Sequence, residues 1–229
     1  MIYVFMYRVP SDSGFAPCVD NGLLSLACCK GGQKNGTHTG IRYWIGKGEC
    51  RSKYIEQQKF QSFNWAENQV YLLGIRKENY KNLPHYGKDT FLYIARITDV
   101  ETMIDYFQHE GKMRTDGIYD VVDGKLVRND FLMPDTHADT DQQERDKAGV
   151  YALLSDDYVY LGRDAVLLSS LKKLSKYVQD YKLFYRGQRI LVGSDPDKNK
   201  ELQELIEECY SLRDNKTHTP HNPENTKDG

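Results

Sequence analysis

The chain has 229 residues, which is enough for one large domain or two small ones. Its 31 lysine and arginine residues are balanced by 33 aspartate and glutamate residues, so no global positive field exists to hold a phosphate backbone. No stretch approaches the roughly 18 apolar residues of a membrane-spanning helix, and the apolar start contains Arg8, unlike a signal peptide. The sequence therefore predicts a cytoplasmic protein without a membrane partner, in which any contact with nucleic acid is local.

The cysteine pattern favours reduced thiols and predicts no metal site. The five cysteines are Cys18, Cys28, Cys29, Cys50 and Cys209. They form no CxxC pair, and the histidines form no HxxxH or HExxH spacing. The chain also lacks a phosphate loop, a nucleophile elbow and a dinucleotide fingerprint, so its motifs identify neither a cofactor nor a reaction.

The first hundred residues predict mainly strands. Residues 2–9 are rich in β-branched and aromatic side chains and stop at a proline, which indicates a buried first strand. Residues 23–29 predict a short buried helix or strand, and residues 41–46 predict a strand that ends in a glycine turn. Two more strands are expected at residues 70–75 and 90–97.

The second half predicts hairpins and helices. A helix capped by Asp99 is expected from the apolar spacing that follows it. Hairpins are expected at 118–127, around Asp123-Gly124, and at 150–162. The polar run 135–147 predicts either a surface loop or a lid. Two amphipathic stretches, 167–178 and 198–212, predict further helices.

This layout predicts an α+β fold with a mostly antiparallel sheet, because the strands follow one another in hairpins and few helices interrupt them. We expect the sheet to be strongly curled and barrel-like, with a few flanking helices. Residues 1–212 should form a single domain. Residues 213–229 are polar throughout and predict a disordered tail.

A turn-rich loop that carries Phe15 is the first candidate site. Its phenylalanine lies between prolines and a glycine and could either offer a stiff stacking platform for a base or plug the core. Cys28 or Cys29 beside Lys30 could be an activated thiolate, although buried inert cysteine is the commoner case.

Three further places carry candidate ligand contacts. The second place holds Arg42, Tyr43, Trp44 and Lys47. Arginine and aromatic residues alternate there on a predicted strand, so a cation or a ring should face solvent or ligand while the other packs, unless Trp44 is simply a core residue. Arg114 and Asp116 could read a base edge or brace a turn. His137 lies in the polar run, where it could act as a base or a metal ligand, or be solvated. The predicted ligand-binding residues are Asp12, Gly14, Phe15, Ala16, Pro17, Cys28, Lys30, Arg42, Trp44, Arg114, Asp116, Tyr119 and His137.

Five segments resemble the nucleotide modification associated domain family, type two. They are DSGFAP at 12–17, LACCK at 26–30, WIG at 44–46, RTDGIY at 114–119 and VYLG at 159–162. The resemblance implies an association with modified DNA bases in phage and bacteria. It supplies no established reaction.

The sequence leads to three functional hypotheses. The first is a domain that binds a nucleotide or a modified base, either free or within a nucleic acid. The second is an enzyme that installs or edits such a modification, and the third is a protein interaction module without a nucleotide ligand. Under the first hypothesis, Phe15 and Trp44 should flank one concave site, to which Lys30, Arg114 and Tyr119 contribute polar groups together with Asp116.

Overall fold

The computed structural model describes residues 1–10, 12–50, 61–64, 67–76, 89–131, 139–180 and 188–213. Within them lie sixteen strands: β1 (Ile2–Val9), β2 (Cys18–Asp20), β3 (Leu23–Leu26), β4 (Gln33–Lys34), β5 (Thr37–His38), β6 (Glu49–Cys50), β7 (Gln61–Ser62), β8 (Gln69–Arg76), β9 (Thr90–Arg96), β10 (Asp99–Thr102), β11 (Tyr119–Val122), β12 (Lys125–Arg128), β13 (Tyr151–Ser155), β14 (Asp157–Tyr160), β15 (Val166–Leu167) and β16 (Gln188–Val192). The same residues form five α-helices: α1 (Ile41–Gly46), α2 (Met103–Gln108), α3 (Thr140–Lys147), α4 (Lys172–Asp180) and α5 (Pro196–Tyr210).

The chain divides into two compact units, each assembled from separated segments. The first unit comprises the described residues of Met1–Asp12, Cys50–Ile97 and Asp157–His221. The second unit comprises those of Ser13–Glu49 and Thr98–Asp156.

The first unit is built on a six-stranded sheet with helices on one face. Its strand order is β14-β9-β8-β1-β16, and β15 pairs with β9. Strands β1 and β8 are parallel, whereas the other pairs are antiparallel. Alternate side chains of β1, including Val4 and Met6, share an apolar core with Leu174 of α4 and Leu202 and Leu205 of α5. Burial of this apolar stripe is what holds the helices on the sheet.

The second unit combines a four-stranded antiparallel sheet with two small hairpins. The sheet order is β10-β13-β3-β2, and the hairpins are β4–β5 and β11–β12. Its core includes Phe15, Met103, Phe107 and Tyr119. Helix α1 lies against β13.

Several sequence predictions are confirmed. Strands β1, β8 and β9 form where the apolar runs predict them, and α5 forms from the last amphipathic stretch. The β11–β12 hairpin turns at Asp123 and Gly124, whose φ angles of 51° and 69° are those of the expected tight turn. The α+β class with mostly antiparallel sheets is likewise confirmed.

The predicted barrel-like curl is not supported. In the part of the chain that the structure describes, the six-stranded sheet ends at β14 and β16, and the four-stranded sheet ends at β10 and β2. Both sheets are therefore open. The strands are shared between two units, which the sequential hairpin pattern could not reveal.

Three local predictions are wrong. Residues 41–46 form helix α1 and not a strand. Residues 99–102 form strand β10, so the next helix starts at Met103, where the Thr102 hydroxyl caps the Asp105 amide at 3.1 Å. The hairpin at 150–162 does not form, because β13 pairs with β10 and β3 while β14 pairs with β9.

The polar run 135–147 is partly helical. Its second half is α3, which is capped by Asp139. His137 and the tail beyond residue 213 lie outside the described residues.

Candidate functional site

A buried arginine ties helix α1 to three other segments of the second unit. The side chain of Arg42 is fully buried. Its Nε donates to the Cys29 carbonyl at 2.7 Å, its Nη1 donates to the Tyr151 carbonyl at 2.7 Å, and its Nη2 donates to the Asp146 carbonyl. A guanidinium offers five N–H donors in a fixed plane, which a lysine cannot replace.

The Asp146 carboxylate also binds the backbone of Cys29. Its Oδ1 accepts the Cys29 amide at 2.7 Å and the Gln142 side-chain amide at 3.1 Å. Its Oδ2 accepts the Tyr119 hydroxyl at 3.2 Å. Asp146 is also fully buried. We call Arg42 and Asp146 together the clamp, because both side chains hold the backbone of Cys29.

The backbone is strained around the clamp. Cys29, Lys30 and Val150 have φ angles of 56°, 47° and 63°. These residue types rarely adopt the left-handed region, where each costs about 1–2 kcal/mol. Such conformations persist only where the surrounding structure holds them, and they gather at functional sites.

The packing around Lys30 and Arg42 leaves no space for extra atoms. A Cβ at Gly40 would lie 2.3 Å from the Lys30 carbonyl oxygen, and a Cβ at Gly149 would lie 2.2 Å from Cζ of Arg42. The start of α1 therefore packs closely against the Lys30 backbone.

Strand β5 and helix α1 carry a stacked aromatic pair. The rings of His38 and Tyr43 lie 3.8 Å apart with an angle of 7° between their planes. His38 Nδ1 donates to the Ala148 carbonyl at 2.8 Å, which fixes the imidazole. Both rings are half-buried. We call His38 and Tyr43 the outer pair.

An exposed lysine lies beside the outer pair. Lys47 Nζ is 5.6 Å from the centre of the Tyr43 ring and donates to the Tyr43 hydroxyl at 3.3 Å. The four-residue spacing of Tyr43 and Lys47 places both on one side of the helix, whereas Arg42 and Trp44 face inward.

The pKa values of Lys30 and Lys47 are shifted in opposite directions. Burial lowers the pKa of Lys30 below its ordinary value. The hydrogen bond to Tyr43 and the nearby Glu49 carboxylate raise the pKa of Lys47. Lys47 therefore stays cationic, and Lys30 is neutral more often than an ordinary lysine.

The predicted pair Arg114 and Asp116 is engaged inside the second unit. The Asp116 carboxylate accepts the Ser25 hydroxyl at 2.6 Å and the Tyr106 hydroxyl at 2.8 Å. Arg114 donates to the Asp20 carbonyl at 2.8 Å, and its Nε is 3.4 Å from Asp116. Burial raises the pKa of Asp116. These contacts fit the turn-brace interpretation, and a ligand role for the pair stays a prediction.

Phe15 is a plug in this structure and not an exposed platform. Its side chain is 1% exposed and packs in a core cluster with Ala27, Cys28 and Tyr119. Gly14 and Pro17 beside it are buried, and Ala16 is half-buried. Burial raises the pKa of the Cys28 thiol, which disfavours an activated thiolate there.

Asp12 lies in the first unit, apart from the other described candidates, which belong to the second. Its carboxylate accepts the Tyr160 hydroxyl at 2.8 Å, and both side chains are buried. Nearby, the Tyr7 and Tyr93 hydroxyls contact each other, and burial raises the pKa of Tyr93. This polar cluster belongs to the interior of the first unit.

The structure thus brings three of the predicted residues together. Arg42 belongs to the clamp, Tyr119 donates its hydroxyl to Asp146 of the clamp, and Lys30 directly follows Cys29, whose backbone the clamp holds. Trp44 is only 7% exposed. Sequence reasoning placed Tyr43 and Lys47 with Arg42 and Trp44 at one candidate place, but it missed His38 and its stack with Tyr43. The Tyr43–Lys47 spacing puts these two residues on one side only if residues 41–46 are helical.

The described residues contain neither a cluster of metal-ligating side chains nor a membrane-spanning helix. No group of three or more histidine, cysteine or acidic side chains is placed to hold a metal ion. None of the helices in this part of the chain has the length and apolar character needed to cross a bilayer.

Comparison with known proteins identifies the family. A family model described as nucleotide modification associated domain 2 matches residues 1–211. No curated protein and no solved structure matches the chain. The matched range covers every segment of both units that the structure describes except residues 212–213. The chain therefore belongs to the nucleotide modification associated domain 2 family.

Proposed function

We propose that the chain binds a nucleotide or a modified base on the outer surface of the second unit. The observation that carries this proposal is the outer pair, His38 and Tyr43, stacked at 3.8 Å beside a lysine. A base can extend such a stack because every base has a π face, and each base–aromatic stack contributes about 1–3 kcal/mol. The family's association with nucleotide modification supports this ligand class.

Cations around the outer pair suit the phosphate of the ligand. Lys47 is exposed and remains protonated. Lys34 is exposed on strand β4, which pairs with the strand that carries His38. Arg145 and Lys147 occupy the last turn of α3, directly before the carbonyl that His38 binds. Two of these cations are also paired with acids, since Lys47 Nζ lies 3.7 Å from Glu49 and Lys147 Nζ lies 3.3 Å from Glu144.

The outer pair replaces Phe15 as the stacking surface in this proposal. Phe15 would have to leave the core to meet a base, whereas the Tyr43 ring is already half-exposed. The hydrogen bonds of Arg42 hold helix α1 in place, and Tyr43 lies on that helix.

The experiment is isothermal titration calorimetry with nucleoside monophosphates, modified nucleosides and short single-stranded oligonucleotides. At least one should bind, and Tyr43→Ala should weaken that binding roughly 5- to 150-fold, which corresponds to one lost stack. The matched control is Tyr177→Ala, because this half-buried tyrosine lies on α4 of the first unit. The control should bind like the wild type.

Two results would contradict the proposal. One is the absence of heat with every ligand of the panel. The other is equal binding by Tyr43→Ala and Tyr177→Ala, which would place the ligand elsewhere.

A further inference from the structure

We propose that the β11–β12 hairpin is a contact surface for a second copy of this chain. The hairpin belongs to the second unit, and its outer face carries none of the residues of the clamp or the outer pair. This inference goes beyond the proposed function and does not depend on it.

The two faces of the hairpin have different surroundings. Tyr119, Val121 and Leu126 belong to the apolar core of the second unit or pack against it. Because successive residues of a strand point to opposite faces, Val122 and Val127 lie on the other face, where they are 51% and 45% exposed. The outer face of the hairpin therefore presents apolar side chains to solvent.

Two opposite charges complete the outer face. Asp120 is paired across the hairpin with Val127, and Lys125 is paired with Val122. The aspartate and the lysine therefore occupy opposite corners of a patch of four residues, which we call the hairpin face. Both charged side chains are exposed, and neither forms an ion pair with another residue that the structure describes.

The hairpin face is complementary to itself. A two-fold axis in the plane of the contact, along the diagonal from Val122 to Val127, exchanges the other two corners. Asp120 of each copy then faces Lys125 of the other copy, and each valine faces its own equivalent. The strands of the two copies cross steeply, as they do where sheets pack orthogonally. One contact therefore covers the valines of both copies and pairs all of these charges.

A second copy suits the hairpin face better than other partners do. A nucleic acid needs a surplus of positive charge, whereas this face carries one acid and one base. An unrelated protein would have to match both charges and the apolar diagonal independently, whereas a second copy supplies the match through symmetry alone. Phe131, three residues after β12, is 86% exposed, so exposed apolar surface continues past the end of the hairpin.

The test is sedimentation velocity of the full chain. An interface of two strands from each copy is small, and small interfaces are commonly transient, so the protein is measured up to about 1 mM. The weight-average mass of the wild type should rise with concentration towards that of a dimer.

Two charge reversals test the pairing. Asp120→Lys places like positive charges at each ionic contact, and Lys125→Asp places like negative charges there. Each variant alone should therefore dimerise about tenfold or more weakly than the wild type. An equimolar mixture of the two variants restores opposite charges at both contacts and should dimerise as the wild type does. Both variants must be folded for this rescue, so a loss of structure cannot produce it.

The matched control is Lys176→Asp. Lys176 is an exposed lysine on α4 of the first unit, away from the hairpin face in the fold. The control variant should dimerise like the wild type.

Three results would overturn the inference. One is a wild type that stays monomeric throughout the concentration range, which would leave the hairpin face to a different partner or to solvent. Another is equal dimerisation of the single hairpin variants and of Lys176→Asp, which would place the contact elsewhere. The third is a mixture that associates no better than its separate components.

Discussion

Arg42 and Asp146 hold the same residue, Cys29, by its carbonyl and its amide, and the Arg42 guanidinium also binds the Asp146 carbonyl. This mutual arrangement connects α1, α3 and the strained turn of the second unit. It fixes the Cys29 backbone next to Lys30 and the helix that carries Tyr43.

Replacement of Arg42 should destabilise the protein strongly. Arg42→Met leaves three carbonyls without their buried donor, and we expect a loss of about 3–5 kcal/mol in the free energy of unfolding. Arg42→Lys should recover little, because one ammonium cannot reach three carbonyls in a plane. The measurement is urea denaturation.

The matched control for Arg42→Met is Arg96→Met, whose guanidinium is 45% exposed and 3.0 Å from Asp157. We expect it to cost less than about 1 kcal/mol. Similar losses in the two variants would show that the clamp is not a principal support of the fold.

Gly149 should tolerate no side chain. The Cβ of Gly149→Ala would lie 2.2 Å from Cζ of Arg42, so we expect a loss of about 3 kcal/mol through overpacking. Gly36→Ala in the β4–β5 turn is the comparison, because its Cβ has open space and only its φ of 76° is unfavourable. It should cost about 1 kcal/mol. Equal melting temperatures of the two variants would contradict this account.

Lys30 should make stability depend on pH. Its pKa is lowered in the folded state, so the unfolded chain binds more protons between that lowered value and the ordinary value of 10.5. Stability therefore rises with pH through this window, and Lys30→Gln should lack this contribution. From pH 7 to pH 10, the unfolding free energy of the wild type should rise relative to that of the Lys30→Gln variant. A difference that is constant with pH would refute the lowered pKa.

Tyr160→Phe should weaken the first unit. The variant removes a 2.8 Å hydrogen bond to the buried Asp12 carboxylate, and we expect a loss of about 1–3 kcal/mol. Tyr71→Phe is the control, since the hydroxyl of this buried tyrosine bonds the exposed Gln69 at 3.1 Å. If thermal melts show no greater loss for Tyr160→Phe, the Asp12 contact contributes nothing to stability.

The single-domain hypothesis has a proteolytic test. Each unit contains segments from both sides of Asn68, so one cut near that residue should release neither unit. We expect proteases to remove only residues beyond 213 from the intact chain, and a chain nicked near Asn68 to elute as one species. Two fragments that elute separately would show independent halves.

Local signals were sufficient to predict some of the regular elements. The apolar run of β1 and the turn at Asp123-Gly124 specify their structure through nearby residues alone. The division into two units was not predictable in this way, because it depends on which strands pair across the chain.

The candidate site was predicted only in part. Lys30 and Arg42 were identified by residue type, but α1 was mistaken for a strand because isoleucine, tyrosine and tryptophan favour strands. The contacts of Arg42 with three distant carbonyls override that propensity. The outer pair depends on a hairpin and a helix that bring His38 to Tyr43, which a linear pattern does not show.

The most direct measurement is the location of a bound base. An oligonucleotide that contains 5-iodouracil is crosslinked to the protein by light, and the linked residue is identified by mass spectrometry. Binding on the proposed surface predicts crosslinks at Tyr43 or His38 that are lost in Tyr43→Ala. Crosslinks confined to the first unit, or an absence of crosslinks at an oligonucleotide concentration that saturates binding, would contradict the account.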